Sequence, residues 1–482
     1  MALEEGVRLG HRAALRSTGL MGSASAANLL IGLARMKIVA LLVGAAGVGL
    51  LGIFQNFMTA AAALGGLGIA TAAPREIAAQ SAAQGVSGET LARRAVMAGS
   101  IALAVIAVAA ISLCRGWIAQ LVLGTPDYGA AIGWLGIGVA LSIIYAGQSG
   151  ILSGLQRIAD LAQVTLFGAV LGSIVGVLAV WLIPSDGILI YVLAAPAAAV
   201  LVGGLYLLRL PRPRSAVGAG KIGPVWRDLV TLGAATMAGS FVAAAGPLLI
   251  RVAIGDRMGL HELGLFQASW ALAAVYLGVV LQAMSADYFP RLTREITDPL
   301  AATKAVNEQT EIALLLGGPV ILAVMGGAPL ILHLLYASEF QAAAAMLRWQ
   351  MLGDVLKVMS WPLGFVLLAS RRGLAFFAVE LLGTAVFVGT TLLLLDRLGF
   401  VAAGVGYTIL YAAYLPALFA ICRRQIGFRW EVPVLRDAVL LFVAAVIVMA
   451  VADVGELAGL IAGGSAAAGF GLRALSRLRG RR

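Results

Sequence analysis

Seven charged residues stand three or more positions inside stretches apolar enough to cross a bilayer: Arg35, Lys37, Arg251, Arg348, Asp354, Lys357 and Glu380. A charge at the centre of a membrane helix costs about 2.5–3.5 kcal/mol on insertion scales, so each must reach a partner, a cavity or the interface. Five of the seven are basic. Cations in an acid-poor setting suit an oxyanion such as a phosphate or diphosphate, which Arg can bind bidentately and Lys as a point charge. Arg35, Lys37, Arg251, Arg348 and Lys357 are therefore read as an anion-binding set. Snorkelling is the competing account, because Arg35, Lys37, Arg251 and Arg348 lie in the outer parts of their runs.

Asp354 and Lys357 are three apart on a helix and can pair on one face. Glu380, about two turns into the next apolar run, is the acid best suited to ion coupling, with Asp354 beside it, although pairing of Glu380 with Lys357 competes. Gln55, Asn56 and Gln267 are uncharged candidates for a sugar path, and interhelical hydrogen bonding is their ordinary alternative.

No enzyme constellation accompanies these residues. His11, His261 and His333 lack metal-ligand spacing, and no Walker-type phosphate loop is present. No cofactor is expected. The chain is 61% hydrophobic and 12% charged over 482 residues, with a mean hydropathy of +0.98, which is too little polar surface for a soluble domain. Its net charge of +11 sits mostly in short loops, so nucleic acid is not the expected partner. The N-terminal stretch lacks a cleavage site behind a short apolar core and reads as retained.

Apolar runs of spanning length fall near 17–43, 49–72, 93–114, 128–153, 161–183 and 187–208, then 228–254, 263–288, 309–335, 342–369, 374–395 and 398–421, with a last pair near 435–452 and 456–474. This pattern predicts an all-α integral membrane protein of about 14 transmembrane helices. About 26 of the 34 basic residues fall in loops on one side, which makes both termini cytoplasmic. Cys114 and Cys422 then sit at opposite faces and read as unbridged packing residues. Residues 209–227, rich in Pro, Gly and Arg, divide a first bundle (1–208) from a second (228–424), and 425–482 adds two helices and a basic tail.

Gly47-x4-Gly52-Ile-Phe54-Gln55 recurs as Gly259-x4-Gly264-Leu-Phe266-Gln267, and Pro74-Arg75 as Pro290-Arg291. Copies six spans apart have the same orientation, so two parallel six-helix repeats are predicted, with substrate between them. Gly168, Gly172 and Gly176 line one face of the fifth span, for close helix packing or for sliding.

Arg35-x-Lys37, the Gly44 to Gly52 segment, Phe54-Gln-Asn56, Leu67-Gly-Ile-Ala and Arg75-Glu-Ile-Ala together resemble the N-terminal signature of Wzx-type O-antigen and polysaccharide flippases. These belong to the multidrug/oligosaccharidyl-lipid/polysaccharide exporter superfamily. The resemblance implies two six-helix bundles that alternate access in a bacterial inner membrane. It also implies an undecaprenyl-diphosphate-linked glycan as substrate, with cavity cations attending the diphosphate. Membrane lipids, and a glycan polymerase or other assembly proteins, are the further partners. The additional helix pair is similar to that of lipid II flippases, where it forms a groove for the lipid tail. A cation-coupled exporter of small amphipathic compounds and a non-transporting scaffold for glycan-assembly enzymes are the alternatives.

Overall fold

The computed structural model describes residues 2–183, 186–210, 222–370 and 372–479; the side chains of 2–29 and of scattered positions, most of them between 222 and 287, fall outside the described set. Every regular element among the described residues is helical. Lipid offers backbone N–H and C=O groups no partner, so long apolar runs must satisfy them within the segment, as helices do.

The chain separates into two compact units, Met1–Val43 with Leu50–Leu248, and Gly44–Gly49 with Leu249–Arg482. The expected division was the basic linker 209–227, of which 211–221 lie outside the described residues. The units instead part inside α7 (Ile222–Met258), one residue past Pro247. A proline within a helix removes one backbone donor and weakens the ladder there.

α1 (Ala2–Gly65), most of it in the first unit, joins the first two expected spans, and the break expected between residues 43 and 49 shrinks to one residue, Gly44, at φ 64°. A residue with no Cβ adopts this left-handed backbone without steric cost, so the helix kinks and continues. The reversal comes later, at Leu67 and Gly68, both with positive φ. The basic loop expected between 72 and 93 is also helical: α2 (Ile69–Leu113) holds Pro74 and Arg75 and kinks at Gly85. α3 (Arg115–Leu123), α4 (Gly129–Gly154), α5 (Ile158–Leu182) and α6 (Gly187–Leu208) follow. A Cβ on Gly172 would lie 2.8 Å from Ala195 Cα, and one on Gly176 would lie 2.7 Å from the Tyr191 ring. The glycine stripe of α5 thus seats α6 against its backbone.

The second unit contains α8 (Leu260–Glu295), α9 (Pro299–Gly326), α10 (Ala328–Leu335), α11 (Ala344–Ala369), α12 (Gly373–Leu398), α13 (Val401–Ile426), α14 (Val432–Val454) and α15 (Glu456–Arg479). The expected span 309–335 is broken at Gly327, and α10 is a separate short helix. α9 and α11 form the interior, with 72% of each apolar stretch buried, whereas α12 and α13 bury only 28% and turn apolar side chains outward. α15 lies on α9 where Gly326 meets Gly463: a Cβ on either glycine would come within 2.7 Å of the other's Cα. Ions fasten the same face. Asp437, fully buried on α14, accepts from Arg473 Nε at 3.0 Å, and Arg477 Nη1 donates to Glu311 of α9 at 3.1 Å.

The segment Gly44–Gly49 brings its backbone directly against that of α8. A Cβ on Gly264 would fall 1.8 Å from the Ala45 carbonyl oxygen, and one on Gly49 would fall 2.4 Å from that of Leu260. Just past the kink, the Ala45 N–H donates to Glu339 Oε1 at 2.9 Å. Glu339 therefore satisfies one of the donors that a helix start leaves open. It stands 212 residues after Asp127, the same interval that separates Gln55 from Gln267. Each acid follows a short helix, α3 or α10, and lies in a 3-10 turn leading into α4 or α11.

Eleven helices among the described residues are long and apolar enough to span a bilayer. Of the fourteen expected runs, two are joined in α1, and those at 228–254 and 263–288 lie in α7 and α8, where many side chains are not described. Both cysteines are free; Cys422 is buried, while Cys114 is exposed and so does not pack as expected.

Candidate functional site

The ionisable residues picked out by sequence fall into three settings. In the first unit, Arg35 lies on α1 about two turns before the Gly44 kink, half-buried, with its guanidinium 5.6 Å from the centroid of the Tyr191 ring. An aromatic face attracts a cation without neutralising it. Among the described residues no carboxylate pairs with Arg35. Lys37, also half-buried, stands two residues on.

Arg251, on α7, is 1% exposed. Its Nε and Nη2 both donate to Gln267 Oε1, at 3.0 and 2.8 Å, and its guanidinium lies 5.0 Å from the Phe266 ring and 5.7 Å from that of Trp270. Gln267, proposed for a sugar path, therefore has its amide oxygen engaged. The Asn56 amide donates to the carbonyl of Gly52 in its own helix. Gln55 is half-buried one turn before Thr59, whose hydroxyl takes its backbone carbonyl. Arg348, at the start of α11, meets Asp453 at 3.4 Å.

The third setting is a cluster among α11, α12 and α13. Tyr407 stands between Asp354 and Lys357: its hydroxyl donates to Asp354 Oδ1 at 2.7 Å and accepts from Lys357 Nζ at 3.0 Å. The pair expected on one face of α11 is thus bridged by a phenol from α13. Glu380 accepts from the Tyr414 hydroxyl at 2.5 Å, so its described hydrogen bond goes to a tyrosine and not to Lys357. Lys357 also lies 5.6 and 5.8 Å from the Tyr407 and Tyr411 ring centroids. Lys357, Glu380, Tyr411 and Tyr414 line a cavity of about 300 Å³ walled by Trp361, Phe365 and Phe376.

Sequence reasoning passed over Tyr407, Tyr411 and Tyr414. Their spacing of four and three places all three on one helical face, and that was the available signal. Glu311 and Asp437 were missed as well. Each lies two residues inside the start of an expected span, 309–335 or 435–452, where a charge reads as belonging to the membrane edge.

The family model described as polysaccharide biosynthesis protein matches residues 14–295, more than half of the chain. The Lipid III flippases of Escherichia coli (strain K12) and Shigella flexneri are each 22% identical to the chain over 408 residues, covering 82% of it and 93% of their own length. The solved structure of the lipid II flippase MurJ, inward closed, superposes with a TM-score of 0.72 at 11% identity, covering 94% of this chain and 97% of that one. An inward-facing multidrug resistance MATE family transporter of the MOP superfamily gives 0.69 at 16% identity, covering 83% and 94%. At these identities the structural matches show a common fold. The chain is a multi-pass membrane protein that belongs to the polysaccharide biosynthesis protein family.

Proposed function

We propose that the protein is a flippase that moves a polyprenyl-diphosphate-linked oligosaccharide, an O-antigen or other surface-polysaccharide unit, across the bacterial inner membrane by alternating access. In this reading it has fourteen spans and both termini in the cytoplasm, and it works as a transporter without a cofactor. Arg35 carries the proposal. It is an intramembrane guanidinium on an aromatic face, with no carboxylate partner among the described residues, and so keeps its positive charge for an oxyanion. Lys37 is assigned to the same group. The similarity to Lipid III flippases, which spans nearly their whole length, supports a lipid-linked glycan as cargo.

A lipid II type of cargo is the second reading, favoured by the match to MurJ over 94% of the chain, a share that takes in more than the 83% matched by the multidrug transporter. A cation-coupled exporter of small amphipathic compounds is disfavoured by the sign of the charge at Arg35 and Lys37.

The test is delivery of labelled lipid-linked glycan to the outer leaflet of proteoliposomes. Arg35→Ala is expected to abolish delivery at unchanged protein level, and Arg35→Lys to restore part of it by supplying a point charge. Normal delivery by the double variant Arg35→Ala/Lys37→Ala would overturn the assignment.

A further inference from the structure

The cavity among α11, α12 and α13 has a composition unlike that of a diphosphate site. Lys357 is its one described cation, and the carboxylates of Asp354 and Glu380 stand in the same cluster, Asp354 joined to the ammonium through Tyr407. A diphosphate brought here would meet two carboxylates for one ammonium, more negative charge than positive. Electrostatics thus separates Lys357 from the anion-binding set suggested by sequence.

What the cavity offers is hydrogen bonding between aromatic walls. Lys357 has three donors, of which one goes to Tyr407 and one to Tyr411, leaving one for a ligand. Glu380 has two acceptor oxygens, of which Oε1 takes the Tyr414 hydroxyl. Trp361 and Phe365, edge to face at 4.7 Å, supply flat apolar surface on one side. A ligand that fits is uncharged over most of its surface, carries several hydroxyls at its rim and has an apolar C–H face for a ring. It also fits within about 300 Å³. These are the properties of a single pyranose ring. Lys357, Trp361 and Tyr411 are each only half-buried although they sit mid-helix in the interior of the cluster, which is the exposure the cavity gives them.

We infer that this cavity is a binding subsite for one sugar ring of the transported glycan, with Lys357 and Glu380 hydrogen-bonding its hydroxyls and Trp361 stacking on its C–H face. The inference rests on the flippase reading for its source of sugar, but its chemistry is tested without transport.

The experiment is saturation-transfer NMR on the full-length protein in lipid nanodiscs, with free N-acetylglucosamine, galactose and glucuronic acid as separate probes. Transfer to the C–H protons of at least one probe is expected. Glu380→Gln, nearly isosteric, and Trp361→Ala are each expected to weaken binding of that probe about fivefold, the loss of one hydrogen bond or of one stacking face. If Trp361→Ala fails to fold by size-exclusion profile, Glu380→Gln decides alone. No transfer to any of the three sugars, or transfer unchanged in the folded variants, overturns the inference. A protein that delivers lipid-linked glycan yet binds no free sugar would lose this subsite and keep its function. One that binds sugar but delivers nothing would keep the subsite and lose the function.

Discussion

Arg35 and Arg251 occupy similar places in the chain and opposite environments. Each precedes a positive-φ glycine by about two helical turns, Arg35 nine residues before Gly44 and Arg251 eight before Gly259. Arg251 is enclosed, with two of its nitrogens committed to Gln267 and its guanidinium against both Phe266 and Trp270. Arg35 rests on one tyrosine ring and stays half-exposed. The difference shows that an intramembrane cation is not by itself a binding group. One holds its own unit together, and the other is presented outward from it.

Three substitutions sharpen or break this contrast, read by thermal unfolding of the purified protein alongside glycan delivery. Arg251→Ala is expected to have the largest effect on stability, a loss of about 3 kcal/mol or more, because it opens a cavity the size of a long side chain and removes the donors that hold the half-buried Gln267. Gln267→Leu keeps the volume but strips the guanidinium of that acceptor, for an expected loss of about 1.5–3 kcal/mol. Tyr191→Leu should be mildest, about 1–1.5 kcal/mol, since it removes an aromatic face from a half-exposed cation and part of a buried ring packed on Gly176 while keeping an apolar side chain there. Delivery should fall with stability in the first two variants. If Arg251→Ala unfolds no more readily than Tyr191→Leu, the distinction between a structural and a presented arginine fails.

Hydropathy made the helices legible, because a run of spanning length in lipid has one way to satisfy its backbone. The repeated Gly-Phe-Gln stretch was legible for the same reason that it matters: glycine at a fixed place signals close backbone approach, and Gly264 meets Ala45 there. Illegible were features that depend on single dihedrals or on distant partners. A kink at Gly44 and a turn at Gly68 look alike in composition, yet one continues a helix and the other ends it. The cluster at Lys357 was half visible. Its charged members stood out in apolar sequence, whereas Tyr407 and Tyr414, which set their hydrogen bonds, pass for ordinary residues of an apolar helix until the fold brings α13 beside α11 and α12.

The backbone bond from Ala45 to Glu339 also has a consequence in time. Its two ends are 294 residues apart in the chain. At a synthesis rate of about 5–20 residues per second, Ala45 enters the membrane roughly 15–60 s before its acceptor exists. Until then the helix start beyond Gly44 has neither Glu339 nor the glycine face of α8 to settle on. The kink in the first helix is therefore fixed only after more than two-thirds of the chain has been made, although it lies within the first tenth.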